Sequence, residues 1–254
     1  MLKNYFKDKR IVLLLYLILV TLVMIFLSLS LVNKRWSNIS YCVLALILFV
    51  SPFLISKIFK IKIPQLLEIV FLLFVSSVTI LGGINHFYIL FPAFDKILHT
   101  VHGFCCCALG LGLIEIIIKT RFSKLTNVLK VFLALCFSMT IGIFWEFFEF
   151  SCDYFLKCDM QKDTFVSNLK TVTLDSTKKN ITVVLTDIKE LEITYGKNKK
   201  KILNGYLDIG LYDTIGDLFV NLIGALSFSV LAYFYLNNKD FIFIRSLLIT
   251  EINN

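Results

Sequence analysis

Charge is what this 254-residue chain has least of: Asp, Glu, Lys and Arg together make up 17% of it. An ordinary soluble domain carries about 25%. Apolar residues reach 57%, and the mean hydropathy is +0.81. This balance excludes a disordered chain and a soluble two-domain enzyme. Proline is limited to three residues, and no proline-rich linker or repeat divides the chain. The seven cysteines have no metal-ligand spacing, and their odd number argues against a disulfide framework. No HExxH pair and no closed cysteine cluster is present. The alternation of about ten residues that marks a membrane β-barrel is missing too.

What is there is a set of long, nearly uncharged runs at 11–32, 39–59, 66–90, 97–118, 128–150 and 214–236. Each can cross a hydrocarbon core, which takes about 20 residues as a helix. Helix is the form to expect, because unpaired backbone groups are too costly in lipid. The first run follows Lys3, Lys7, Lys9 and Arg10 but is too long for a signal peptide. Lys34, Arg35 and Trp36 come after it in place of a small-residue cleavage site, so it reads as a retained span. The expected fold is an all-α polytopic membrane protein, one membrane domain over 1–254 with six transmembrane helices. A small β-containing outer loop lies between helices five and six, with its insertion at about 160–205.

Basic residues set the orientation. The N-terminal segment, the loop after span two (Lys57, Lys60, Lys62), the loop after span four (Lys119, Arg121, Lys124, Lys130) and the tail (Lys239, Arg245) outweigh Lys34, Arg35 and Lys96 in the opposite short loops. Long loops do not count in this rule. Both termini are therefore expected in the cytoplasm. The net charge of +8 then reflects topology and anionic lipid headgroups. The basic residues are split among short loops, so nucleic acid is not an expected partner; membrane lipids are. In the long loop, 171–174 and 181–185 are β-branched runs about a turn-rich stretch, and a third run, Leu191–Tyr195, ends at Gly196. They predict a small hairpin or meander, with 197–201 as a solvated turn.

The polar residues inside the spans are ordered. Asp95, His99 and His102 are spaced i, i+4, i+7; Glu146, Glu149 and Asp153 i, i+3, i+7; Asp213, Asp217 and Asn221 i, i+4, i+8. Each set shares one helix face. By the charge count, all three faces lie in the outer part of the bilayer, each extending roughly 10–12 Å along its helix. His86 ends span three on the same side. An ionisable residue in a span costs about 2.5–3.5 kcal/mol on insertion scales, and such residues mark function by default. A charge-paired structural network, a metal site and a solvated transport pathway are the three readings of this cluster. Carboxylates crowded together without basic partners repel one another and take up protons, which a divalent cation resolves. Mixed imidazole and carboxylate ligands suit zinc, manganese or iron.

The remaining features have plainer readings. Cys105-Cys106-Cys107 point to different faces of span four and read as small packing residues. Cys152 and Cys158 could meet outside the membrane. The glycines of the spans, Gly103 and Gly224 among them, allow close helix approach. Glu68 and Glu115 sit near the inner ends and read as snorkelling side chains. Trp145 reads as facing lipid or core.

At the polar residues the chain resembles a family. The order DKxxHxxHG, WExxE and DTxxDLxxNxxGA resembles the YjdF-type bacterial membrane proteins, whose function is not established, and more distantly is similar to the VanZ-like proteins associated with teicoplanin resistance. The matching positions are Asp95, Lys96, His99, Glu146, Asp217, Asn221 and Gly224, within 95–163 and 206–226. The resemblance implies a bacterial inner-membrane protein. The first functional expectation is a metal-dependent hydrolase or transferase acting on a lipid-linked or envelope substrate. His99, His102, Glu146 and Asp217 would bind the metal, Glu149 would be the general base, and Asp95 would orient a histidine. A proton-coupled transporter or envelope-binding protein, and a purely structural network, stand beside it.

Overall fold

The computed structural model describes residues 5–6, 9–121, 125–156, 159–238 and 242–252. Among these residues, six helices are long and apolar enough to cross a membrane: Arg10–Val32, Trp36–Phe59, Gln65–Ile84, Ala93–Lys119, Asn127–Phe155 and Leu211–Asn238. The strands form only small two-stranded pairs. The protein is thus an all-α polytopic membrane protein. Its helices are α1 (Arg10–Val32), α2 (Trp36–Phe59), α3 (Gln65–Ser76), α4 (Phe87–Leu90), α5 (Ala93–Arg121), α6 (Asn127–Leu156), α7 (Leu211–Asn238) and α8 (Ile242–Arg245). The long helices overrun their apolar runs. A hydropathy window stops at Asp95 or Asp213, but helix hydrogen bonding continues through them and places both in a first turn.

Span three departs most from expectation. α3 passes into a π-helical segment, Ser77–Ile84. The backbone N–H and the side-chain amide of Asn85 both donate to the Ile80 carbonyl. His86 then takes a left-handed φ of 58° and α4 restarts. The uninterrupted span to residue 90 is replaced by this break. Gly82 and Gly83 lie under the rings of Tyr88 and Tyr41, where wide turns and missing Cβ atoms give the rings room.

The chain divides into two compact units, residues 1–142 with 218–254, and residues 143–217. In the first unit, Val12, Val23, Ala45, Phe49, Leu72 and Val75 form one buried cluster of α1, α2 and α3. A second joins Cys107 and Leu111 of α5, Ala134 of α6, Ala225 and Phe228 of α7, and Leu247 after α8. In lipid such contacts rest on close packing of small residues. A Cβ on Gly103 would lie 2.0 Å from the Asn221 carbonyl oxygen, and one on Gly224 would lie 1.9 Å from that of Thr100. The backbones of α5 and α7 therefore touch, as the glycine pattern leads one to expect. Strand β1 (Ile61–Lys62) pairs antiparallel with the C-terminal β8 (Thr250–Glu251).

In the second unit, β2 (Thr164–Val166) pairs with β7 (Tyr206–Asp208), β3 (Leu169–Thr171) with β4 (Val183–Leu185), and β5 (Leu191–Tyr195) with β6 (Lys199–Leu203). These are separate ribbons, all antiparallel. The lysine run expected as a solvated turn is largely strand. The turn is shorter, with Gly196 and Asn198 at φ of 57° and 58°, and Lys200 pairs across the ribbon with Glu192 at 2.7 Å. The β3–β4 connection is organised by Asp175, whose carboxylate accepts from the N–H groups of Thr177, Lys179 and Ile181. The Thr177 hydroxyl, which donates to the same carboxylate, and then these N–H groups lower its pKa to about 2.

Candidate functional site

In the first unit, α5 carries Asp95, His99, His102 and Cys106 along one stripe, in the order the helical spacing dictates. Asp95 is half-buried and His99 is buried. Asp95 Oδ1 lies 3.7 Å from His99 Nε2, which is ion-pair reach. One turn deeper, His102 Nδ1–H donates to Asn221 Oδ1 at 3.0 Å. The Asn221 amide is oriented by its other end, where Nδ2 donates to the Met139 sulfur at 3.4 Å. With the imidazole proton on Nδ1, Nε2 is the acceptor, and the Cys106 thiol stands 3.3 Å from it. The Phe74 ring stacks on the imidazole with centroids 6.1 Å apart. Both ring nitrogens of His102 thus face protein groups. Ser138 Oγ donates to the Gly103 carbonyl at 2.8 Å, adding a polar tie between α6 and α5. His86 is exposed at the start of α4.

In the second unit, Glu146 and Glu149 of α6 are buried. Trp145 Nε1 donates to Glu149 Oε1 at 2.8 Å, so the indole expected to face lipid or core holds a carboxylate. Asp153 accepts from the N–H groups of Met160 and Gln161, and Asp213 from that of Lys162. Gln161 Nε2 donates to Thr214 Oγ1 at 2.6 Å. These acids fasten the loop to the helix ends. Burial, then Asp159, Asp208 and Asp153, push the nearby Asp163 carboxyl above the ordinary range. Asp217 is fully buried. It is the last residue of this unit and lies one turn ahead of Asn221 in α7. Cys152 is buried, while Cys158 lies outside the described residues.

Of the two acids expected to snorkel, Glu68 does not, and Glu115 stays partly exposed. Glu68 is fully buried. Its Oε2 lies 2.5 Å from Lys9 Nζ and its Oε1 accepts from the Tyr5 hydroxyl at 2.9 Å. Lys9 Nζ also sits 4.2 Å from the centre of the Tyr5 ring. Burial and the Glu68 charge hold the Tyr5 phenol well above its ordinary pKa, so it stays a donor. Glu115 pairs with Lys130 at 2.8 Å. Sequence reasoning spent Lys9 and Lys130 on topology. The available signal was that each could reach an acid at the same membrane depth.

The family model described as Predicted membrane protein (DUF2238) matches residues 12–238. No curated protein and no solved structure matches the chain. The match runs through all six long helices and both units, and the chain belongs to this DUF2238 family of predicted membrane proteins.

Proposed function

We propose that the protein is a membrane-embedded, divalent-metal-dependent hydrolase or transferase of a lipid-linked or envelope substrate. The observation that carries this reading is the pairing on α5 of the half-buried Asp95 with the buried His99 at 3.7 Å. A carboxylate and an imidazole set together at membrane depth cost too much to be packing alone. Asp95 and His99 offer a carboxylate oxygen and an imidazole nitrogen to an ion, and Asp217 is a further proposed ligand from its place in the Asp-x-x-x-Asn string. Oxygen and imidazole donors suit zinc, manganese or iron. Bound there, the ion would activate water or polarise a phosphate or ester oxygen. Glu146 is a further proposed ligand and Glu149 the proposed base. His102 is left out of the ligand set because Asn221 and Cys106 take its two nitrogens. The likeness of the Asp-Lys-x-x-His and Asp-x-x-x-Asn-x-x-Gly strings to VanZ-like proteins supports an envelope substrate. The basic loops support a bacterial inner-membrane location with both termini in the cytoplasm.

Elemental analysis of the detergent-purified protein tests the reading. The expected result is near one transition-metal ion per chain, lost in folded His99→Ala and Asp217→Asn variants. Loaded protein is then expected to release phosphate from a polyprenyl diphosphate, and Glu149→Gln to slow this by about 10²-fold, as for other general bases. A folded wild-type protein that neither contains nor takes up zinc, manganese or iron overturns it.

A structural reading is favoured for Asp153 and Asp213 specifically. Their carboxylates are engaged by backbone N–H groups of the loop, the geometry of a clamp.

A further inference from the structure

The stripe on α5 does not end at the histidines. Cys106, His102 and Asn221 stand in the order thiol, imidazole, carboxamide, with contacts of 3.3 Å and 3.0 Å. Asn221 fixes the proton on Nδ1, which turns the lone pair of Nε2 toward the thiol. That is the arrangement of a nucleophile, its base and the group that orients the base. Cys105 and Cys107 lack it: Cys107 contacts Ser229 Oγ at 3.4 Å, and Cys105 lines a cavity.

That cavity borders the neighbouring face of α5, and Cys106, His102 and Asn221 are not among its lining residues. Val101 and Cys105, the chain neighbours of His102 and Cys106, form one wall; Val70, Phe104, Phe243 and Leu247 are among the others. Its volume is about 240 Å³, and an apolar cavity of about 150 Å³ already accepts benzene. Thr100 and Ser227, its two hydroxyl residues, spend their protons on the carbonyls of Lys96 and Ile223, so the surface suits hydrocarbon. Arg245, between Phe243 and Leu247 in the chain, is exposed, and an exposed cation near a membrane surface attracts anionic headgroups.

We propose that Cys106, His102 and Asn221 form an intramembrane acyl-transfer centre, in which Cys106 takes an acyl chain from an anionic phospholipid ester. His102 Nε2 accepts the thiol proton as Cys106 Sγ attacks the ester carbonyl carbon. The new S–C bond forms as the C–O bond to the glycerol oxygen breaks. The departing alkoxide takes the proton from His102, leaving a thioester on Cys106 and a lysophospholipid. No oxidation state changes. Asn221 is a positioning residue, acting through the His102 tautomer. The centre is independent of the metal reading and uses none of its ligands.

The full chain is reconstituted in phosphatidylglycerol vesicles whose acyl chains carry a terminal alkyne, and the protein is analysed for hydroxylamine-labile label. The expected result is label at Cys106, unchanged by EDTA and by Cys107→Ala and absent in Cys106→Ala. His102→Gln is expected to slow labelling by about 10²-fold. Asn221→Asp, which keeps an acceptor for Nδ1–H, is expected to label faster than Asn221→Leu; a merely structural Asn221 does not predict that order. Folded wild-type protein without label, or label spread evenly over Cys105, Cys106 and Cys107, overturns the proposal. Loss of label with EDTA overturns its independence from metal and leaves the metal reading standing.

Discussion

The first unit contains two buried polar networks built on opposite principles. Around Glu68, a full negative charge is matched by the Lys9 ammonium and the Tyr5 hydroxyl. Around His102, the groups are neutral and directional: an imidazole between a carboxamide and a thiol. The first network ties the N-terminal segment to α3 by Coulomb attraction in a low-dielectric setting. The second registers α5 against α7 by hydrogen-bond geometry, where glycine has already brought the backbones together. Charge pairing is strong and undirected and suits a fastening. Oriented neutral groups hold a proton at a chosen atom and suit chemistry.

Breaking the charged network has the largest expected effect. Lys9→Met leaves Glu68 buried and uncompensated, a loss of about 3–5 kcal/mol for a pair of this kind. Adding Glu68→Leu to Lys9→Met is expected to restore most of that loss, measured by reversible unfolding in mixed detergent micelles. Gly103→Val comes next. Its Cβ meets the Asn221 carbonyl, which cannot move without its helix, and overpacking of this sort costs about 1–3 kcal/mol. It is also expected to weaken the His102–Asn221 bond, read from the imidazole nitrogen shifts by NMR, while Lys9 and Glu68 stay paired. His102→Leu removes one partner of the neutral network. The stranded Asn221 oxygen costs about 1–3 kcal/mol, less than the Lys9 loss in the same unfolding assay.

The smallest effect lies outside both networks, at the exposed Asp175 turn. Its native pKa of about 2 lies below the ordinary 3.8. The turn's stabilisation is therefore complete above about pH 4 and is lost as pH falls through about 2. Amide exchange at Thr177, Lys179 and Ile181 is expected to accelerate in that window, and at higher pH in Asp175→Asn. Protection unchanged down to pH 2 would show that the ribbon holds the turn without the carboxylate.

Much of the membrane fold was legible. Spans were read from apolar length, and the helices that form cover them, because lipid leaves the backbone no alternative to internal hydrogen bonding. The stripe of Asp95, His99 and His102 was legible from spacing alone. The ends were less so. Asp95 and Asp213 stopped the hydropathy runs while their helices continued. The break at Asn85 was masked because apolar residues resume after His86 and run on to Leu90. In the loop, β-branched runs located β4 and β5, but the lysines of β6 masked a strand whose side chains are exposed.

The sequence by itself determined the class of the protein, its spans and the faces on which its polar residues stand. Composition and helical periodicity are local properties, and lipid enforces them. Only the tertiary structure decided the partners. Cys106 lies one turn from His102 in the sequence, yet nothing local separates a packing cysteine from a thiol facing an imidazole lone pair. That distinction depends on Asn221, 119 residues from His102, fixing the tautomer. Glu68 likewise reads as a residue near the membrane surface until Lys9, 59 positions away, is seen to bury it. Pair identity over such separations is set by which backbones can approach, and that is a property of the folded chain.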